Sequence, residues 1–346
     1  MLSVDLTDEA KQEKDVLIHR TNVMKDMINE FRNNDILNYK LVLRVMASNG
    51  AVEKGEGEGV VREILTLFWQ SFSSSLSVGA KEKVPSIRHD FQSSDWQAAA
   101  RIIIFGYTTV KYFPINLSVA FVALCIFREE KVPNDMLLES FKLYVSTDEK
   151  NVINACLNGN FNSQDEDTLE FLSSYKCFHA PSEENINNII FQLAHQEIFQ
   201  RPKYIASCWS EILKSLVVFD PFKSIADLKS MIEDKAASTK KVLKLLSAKP
   251  ESDAERVCFD HLKRFVKSLS EGALVAFLQF TTGSDIVVCD CIEIVFVSLD
   301  GLARRPVAHT CKPSLELPTT YQSYNELCEE FSSLLREKSF WEFDIV

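Results

Sequence analysis

Apolar residues recur at helical spacing along much of the first third of the chain, with one strand-like stretch between them. The charged segment 7–33 carries apolar residues at intervals that predict a leading helix. Residues 39–46 are rich in aliphatic side chains and predict a strand. A glycine cluster, Gly55 to Gly59, then precedes a second helical pattern over residues 60–72.

The middle third is predicted to be mostly helical. Residues 96–109 and 115–127 are strongly apolar and contain few helix breakers. Ser182 is suited to cap a further helix. The apolar face of that helix consists of Ile186, Ile189, Ile190, Leu193 and Ala194. Another helix passes through Trp209 and is predicted to end near Pro221.

The pattern changes at the polar, proline-bearing stretch 247–253, which is the best candidate for a domain boundary. Beyond it, helical spacing over residues 257–269 is followed by Ser270 as the cap of a second helix. Residues 286–299 predict a strand buried on both faces. Ser323 and Glu326 form a capping-box pattern that opens a last helix. We therefore expect a small α/β lobe at the end of the chain.

Composition narrows the functional classes. The chain has 346 residues and a formal net charge of -11, and it has no strong basic patch, so nucleic acid and anionic membranes are not the expected partners. Its nine cysteines are irregularly spaced and odd in number, unlike a secreted disulfide framework. With no signal-peptide pattern and no run of about 18 apolar residues, we expect an intracellular protein, cytoplasmic or nuclear or both.

Four short motifs follow one another in the C-terminal part of the chain. They are residues 277–284 (Phe-Leu-Gln-Phe-Thr-Thr-Gly-Ser), 306–311 (Pro-Val-Ala-His-Thr-Cys), 315–318 (Leu-Glu-Leu-Pro) and 321–327 (Tyr-Gln-Ser-Tyr-Asn-Glu-Leu). The first resembles the Leu-Leu-Gln-Phe-Val-Thr-Gly-Ser signature of the C-terminal lobe of HECT-type ubiquitin ligases. The next two resemble the loop around that family's ubiquitin-accepting cysteine, and the fourth resembles the start of the following helix. Phe343, fourth from the C-terminus, is similar to the phenylalanine of the family's mobile tail.

The resemblance implies an α+β, bilobal fold, in which a mostly helical N-lobe and a small α/β C-lobe are joined by a flexible hinge. On this basis we expect a leading helical segment at 1–32, an N-lobe-like domain at 33–248, a hinge at 249–256 and the C-lobe at 257–346. Upstream, residues 55–63 and 84–91 are similar to N-lobe segments of the family, including divergent animal members. Residues 144–207 predict helices, where the family usually has strands that grip the conjugating enzyme.

The resemblance also implies an activity. Cys311 would accept ubiquitin from a ubiquitin-conjugating enzyme as a thioester and pass it to a lysine of a protein substrate, with no cofactor and no metal. Such a thiol needs thiolate character, which cationic neighbours favour. Lys312 adjoins Cys311, and His309 would lie on the same side if the loop were extended. Thr310, which lies between His309 and Cys311 in the motif, is a further supporting residue.

The C-terminal tail supplies the remaining candidates. Phe343 would dock near the N-lobe and hold the loaded C-lobe towards the substrate. Asp344 and Glu342 would assist loss of the proton from the attacking amine. If the chain is one part of a longer protein, we expect it to be the C-terminal part.

Several other interpretations compete with this one. Cys125, Cys156, Cys177, Cys208, Cys258 and Cys328 are expected to be small buried hydrophobes. Cys289 and Cys291 lack a second close pair of ligands, so strand alternation explains them better than zinc. The glycine cluster lacks the Gly-Lys-Ser/Thr ending of a phosphate loop. A cysteine protease would need a base and an orienting group held against the thiol. The main functional alternative is a degenerate HECT fold that binds ubiquitin or a partner protein without transfer.

Overall fold

The first elements form a strand–helix–strand unit. In the computed structural model, which describes residues 11–337 apart from positions 48, 54, 56, 161, 302 and 303, β1 (Glu13–His19) pairs in parallel with β2 (Lys40–Met46). Helix α1 (Val23–Phe31) connects them. Val16 and Ile18 are buried while Leu17 between them is 42% exposed, which is the alternation of a strand.

The predicted leading helix over 7–33 is therefore wrong where β1 lies, and correct for α1. A short apolar run is ambiguous by itself, and here the pairing with β2 decides it. The strand predicted at 39–46 is confirmed as β2.

Helices make up most of the rest of the described chain. They are α2 (Glu58–Ser75), α3 (Ser93–Val110), α4 (Val119–Phe127), α5 (Asn134–Tyr144), α6 (Thr147–Leu157), α7 (Glu166–Ser174), α8 (Ile186–His195), α9 (Lys203–Leu213), α10 (Ile225–Lys235), α11 (Thr239–Leu245), α12 (Asp253–Ser268), α13 (Glu271–Thr282) and α14 (Tyr324–Arg336). Short 3-10 segments are Ile36–Asn38, Glu129–Lys131, Lys214–Val218 and Asp220–Phe222, and Gln196–Gln200 is a π-helical turn. A two-stranded antiparallel pair consists of β3 (Ser77–Val78) and β4 (Val84–Pro85).

A four-stranded sheet lies in the C-terminal part. Its strands are β5 (Leu246–Ala248), β6 (Ile292–Val297), β7 (Val307–His309) and β8 (Ser314–Pro318), in the order β5-β6-β8-β7. The pairs β5–β6 and β6–β8 are parallel. Strand β7 runs antiparallel to β8 and forms one edge of the sheet. The strand predicted over 286–299 is confirmed only for β6, whose residues alternate between buried and exposed near its start.

The buried faces of α12, α13 and α14 form one core with this sheet. Its members include Leu262, Phe265, Phe277, Leu315 and Phe331. The predicted cap Ser270 accepts a hydrogen bond from the Ala273 N–H at 3.4 Å. Ser323 likewise accepts from the Glu326 N–H at 3.3 Å, so both predicted helix starts are confirmed.

The chain divides into two compact units. Unit 1 combines the described chain up to Trp69, residues Phe105–Phe113 and the described chain from Glu233 onward. Unit 2 consists of Gln70–Ile104 and Pro114–Ile232. The predicted boundary at 249–256 lies inside unit 1, where β5 on one side of it pairs with β6 on the other. The bilobal arrangement with a hinge stays a prediction.

Unit 2 is predominantly helical around an aromatic cluster. The ring of Trp209 lies 6.2 Å from that of Phe72 and 5.5 Å from that of Phe121, measured between centroids. All three side chains are fully buried.

The helices predicted in the middle third are confirmed, but some of their predicted ends are wrong. Helix α4 begins at Val119 rather than at 115, and α8 begins at Ile186 with Asn185 as its cap rather than Ser182. Helix α9 ends at Leu213 rather than near Pro221.

Helices and small sheets together confirm the α+β class. Within the described residues, no helix is both long enough and apolar enough to cross a membrane.

Candidate functional site: the Cys311 turn

Cys311 lies at the tip of a hairpin in unit 1. Strands β7 and β8 pair with Val307 opposite Glu316 and His309 opposite Ser314, which leaves residues 310–313 as a four-residue connection. We call these residues, Thr310 to Pro313, the Cys311 turn. The side chain of Thr310 is buried, whereas Cys311 is exposed. The hairpin therefore presents the thiol outward on a short connection between paired strands.

A buried arginine of helix α2 hydrogen-bonds to the backbone of this turn. Arg62 is 3% exposed, and its Nη2 donates to the carbonyl oxygen of Thr310 at 2.6 Å and to that of Cys311 at 3.3 Å. These two carbonyls belong to the peptide groups on either side of the Cys311 Cα. The guanidinium thus constrains the backbone at the residue that carries the thiol.

Gly59, in the first turn of α2, approaches the same backbone closely. A Cβ on Gly59 would lie 2.5 Å from Thr310 Oγ1 and 2.7 Å from the Cys311 nitrogen. Real Cβ atoms do not come so near to backbone, so a larger residue here would push the turn away. Gly59, the last glycine of the cluster, is therefore the one that lies against the Cys311 turn.

The end of α13 completes the surroundings. Gly283 caps this helix in the left-handed region with φ +77°. A Cβ on Gly283 would lie 2.9 Å from the Gly59 carbonyl oxygen and 3.5 Å from Thr310 Cβ. The end of the motif at 277–284 thus meets Gly59 and the Cys311 turn at one place, although Gly59 is far from both in sequence.

A polar network anchors that helix end to α2 and to residue 112. The hydroxyl of Thr66 lies 3.2 Å from the Gly283 carbonyl oxygen, to which it donates. The phenol of Tyr112 donates to Asp285 Oδ1 at 2.9 Å. Burial, followed by the negative charge of Asp285, raises the pKa of Tyr112, which keeps the phenol a donor.

Charge around the turn is mixed. Burial lowers the pKa of Arg62, and the negative charge of Glu58 opposes that effect. The ion pair between Arg62 Nη1 and Glu58 Oε2 is 3.6 Å long. Lys312 is 89% exposed, and its ammonium lies 3.6 Å from a carboxylate oxygen of Glu293. The buried cation at the turn is thus Arg62, while Lys312 is solvated.

His309 has a different partner from the one the extended-loop expectation implied. Because residues 310–313 form a turn, the condition for that expectation is not met. The ring Nε2 of His309 lies 3.0 Å from Glu316 Oε1, on the exposed face of the hairpin. The pair links the two strands on either side of the turn.

The other cysteines differ in how far they are buried. Cys125, Cys156, Cys208 and Cys258 are buried as predicted, while Cys177 and Cys328 are half-buried. Cys289 is half-buried and Cys291 is exposed. Burial raises the pKa of the thiols at Cys125, Cys156, Cys258 and Cys289. In the described part of the chain, no three His, Cys, Asp or Glu side chains are grouped so that they could hold a metal ion.

Two of the predicted supporting residues, Phe343 and Asp344, lie outside the described residues. Conversely, Arg62 and Gly59 were not predicted as site residues. The sequence contained a signal for them, since both belong to the segment 55–63 that resembles the glycine-rich start of a HECT helix. That resemblance gave no reason to place the segment against Cys311.

The chain was compared with models of protein families and with curated proteins, and neither comparison gave a match.

Proposed function

We propose that this protein is a HECT-type ubiquitin-protein ligase that carries ubiquitin as a thioester on Cys311. The observation that supports this best is the exposed thiol on a turn whose backbone is held by buried Arg62. A cysteine kept only for packing would have no reason to stand at an exposed hairpin tip. The proposed partners are ubiquitin, a ubiquitin-conjugating enzyme and a protein substrate, inside the cell in the cytoplasm or the nucleus.

The first step is an exchange of thioesters. The Cys311 sulfur attacks the carbonyl carbon at the ubiquitin C-terminus, a new carbon–sulfur bond forms, and the bond to the conjugating enzyme's cysteine breaks. That cysteine leaves as a thiolate and takes up the proton released by Cys311. Because one thioester replaces another, the step needs an accessible and well-placed thiol more than a strong base.

The second step transfers the acyl group to nitrogen. A substrate lysine amine attacks the thioester carbonyl, loses a proton, and displaces the Cys311 thiolate. A carboxylate assists the loss of that proton. The proposed carboxylate is Asp344, with Phe343 holding the lobe in its lysine-facing position across a hinge at 249–256. If removing the last four residues left self-ubiquitination unchanged, these two roles would be wrong.

A second candidate function is a HECT-like module that binds ubiquitin or a partner without transferring it. The observation that favours it lies in residues 144–207, where the described segment consists of helices α6 to α9 and a π-helical turn. A family member would be expected to have strands there for gripping the conjugating enzyme. A module without that grip would keep Cys311 exposed but never load it.

Thioester formation separates the two functions. Purified protein would be mixed with ubiquitin charged on a broad panel of conjugating enzymes and examined on non-reducing gels. We expect a thiol-sensitive adduct with wild type that is lost in Cys311→Ala and retained in Cys291→Ala, which removes the other exposed cysteine. If no conjugating enzyme loads a folded wild-type protein, the binding module is the better account.

A further inference from the structure

Arg62 differs from Arg20, a half-buried arginine of the same unit. Arg20 is held by two carboxylates, Glu53 at 2.8 Å and Glu63 at 2.6 Å, which offset the cost of burying its charge. The ion pair of Arg62 is longer, 3.6 Å, and its partner Glu58 is 64% exposed. The shortest hydrogen bond of Arg62, at 2.6 Å, instead goes to the carbonyl of Thr310.

This arrangement is costly if Arg62 serves only to fill space. Its Nε is buried and has no hydrogen-bond partner among the described residues. A buried donor without a partner loses free energy relative to one in water, and an apolar side chain of similar length would avoid the loss. The hydrogen bonds from Nη2 to the carbonyls of Thr310 and Cys311 are therefore the better explanation for an arginine at this position.

We propose that Arg62 is a positioning residue for the Cys311 thiol, an inference that rests on the proposed function of Cys311. Its guanidinium fixes the carbonyls on both sides of the Cys311 Cα, while the backbone of Gly59 packs against the peptide between Thr310 and Cys311. With both peptide groups held, the sulfur keeps little freedom beyond rotation about its own side-chain bond.

Positioning of this kind acts on the rate of transfer. An attacking atom held in line with its target saves entropy at the transition state, and a displacement of about 1 Å can cost on the order of a hundredfold in rate. The guanidinium is also a positive charge beside the backbone that carries the thiol, and a nearby cation favours the thiolate form of a cysteine. Arg62 touches neither ubiquitin nor the reacting atoms in this scheme, since its contacts are with the backbone of the turn.

The test is single-turnover transfer of ubiquitin from a charged conjugating enzyme to Cys311 at increasing enzyme concentrations. We expect Arg62→Gln to lower the maximal rate by about tenfold or more and to leave the half-saturating concentration unchanged. Arg62→Lys keeps the charge and a donor for the turn, so it should recover most of the loss and be slower than wild type by only about threefold. Arg20→Gln is the control, because it removes a half-buried arginine of the same unit that is held by carboxylates rather than by the turn.

Two results would contradict a positioning role for Arg62. Transfer at the wild-type rate or faster in a folded Arg62→Gln protein would overturn the proposal, and so would an equal loss in Arg20→Gln, which would indicate general loosening. If Arg62→Gln does not fold, Arg62→Lys decides, because it should then be slower than wild type by about threefold. Thermal melting of each variant establishes the folded fraction.

A second readout separates failure of this proposal from failure of the proposed function. If wild type never accepts ubiquitin, the proposed function fails, and alkylation by iodoacetamide still tests Arg62. The rate at Cys311 would be measured against the rate at exposed Cys291 in the same molecule. We expect that ratio to fall about fivefold in Arg62→Gln, since a nearby cation favours the reactive thiolate. An unchanged or increased ratio would show that Arg62 does not position or activate the thiol.

Discussion

The Cys311 turn of unit 1 and the aromatic cluster of unit 2 are built on opposite principles. The turn depends on hydrogen bonds to carbonyls and on a glycine that allows backbone to approach backbone. The cluster around Trp209 depends on apolar volume, with rings 5.5 and 6.2 Å away. A buried apolar side chain can be replaced by one of similar volume at modest cost in stability. Where two backbone segments are in close contact, in contrast, even one added atom is destabilising. Substitutions of similar size should therefore have different consequences in the two regions.

The largest effect is expected in the aromatic cluster. Trp209→Ala removes a fully buried ring and should lower the free energy of unfolding by about 3 to 5 kcal/mol. Urea unfolding would measure it. Trp209→Phe is the matched control, because it keeps a ring and removes an indole nitrogen that lacks a partner among the described residues. A loss in Trp209→Phe as large as that in Trp209→Ala would show that volume is not what the cluster depends on.

The next effect concerns the polar network beside the Cys311 turn. Tyr112→Phe removes the hydroxyl that donates to Asp285 and should cost about 1.5 to 3 kcal/mol of unfolding free energy. The volume barely changes, so the loss would measure the hydrogen bond to a charged group. Tyr204→Phe, at a tyrosine that is 47% exposed, should be close to neutral in the same urea titration. Equal effects at both positions would contradict this account.

Adding a single methyl group at Gly59, which packs against the Cys311 turn, should have a comparable or smaller effect on stability. Gly59→Ala places a Cβ within 2.7 Å of the turn's backbone and should cost about 1 to 3 kcal/mol, unless the turn moves away. Gly272→Ala is the control, because a Cβ there meets nothing within 4 Å. Thermal melting of both variants would measure the difference. If both melted like wild type, with unchanged alkylation of Cys311, the close approach would be unimportant.

The smallest expected effect is a pH dependence in unit 1. Burial, followed by the charge of Lys111, lowers the pKa of Lys235 to about 8. In the unfolded chain a lysine titrates near 10.4, so between these two pH values the unfolded state binds more protons and stability rises with pH. Lys235→Met should therefore be more stable than wild type at pH 7, with an advantage that narrows from pH 8 to pH 10. Urea unfolding at the three pH values checks it, and a constant difference would contradict it.

Sequence patterns predicted the elements of this chain better than their partners. Helices with a continuous apolar face, such as α8 and α14, were located to within a few residues, because local spacing and capping determine them. The segment 13–19 was assigned to a helix, because only its pairing with β2 makes it a strand. Residues 286–291 lie outside β6 for a related reason, since an apolar run does not specify where pairing begins.

The candidate site divides in the same way. Its cysteine stood in a recognisable motif, so Cys311 was singled out from the sequence. Arg62 is separated from Thr310 by 248 positions along the chain, and no periodic pattern relates two residues across such a distance. The half of the site that lies in one loop could be predicted, whereas the half that depends on tertiary contact could not.

The pairing of β5 with β6 determines where a C-terminal fragment of this protein can begin. A fragment that began at Val257 would lack β5 and leave one edge of β6 without its neighbour, and unpaired edges promote aggregation. A fragment that began at Glu233 would restore β5 but would still lack Gly59 and Arg62. The Cys311 turn would then be held by its own strands without the start of helix α2 that contacts it. Studies of Cys311 chemistry on an excised C-terminal piece would therefore concern a different loop from the one in the whole chain.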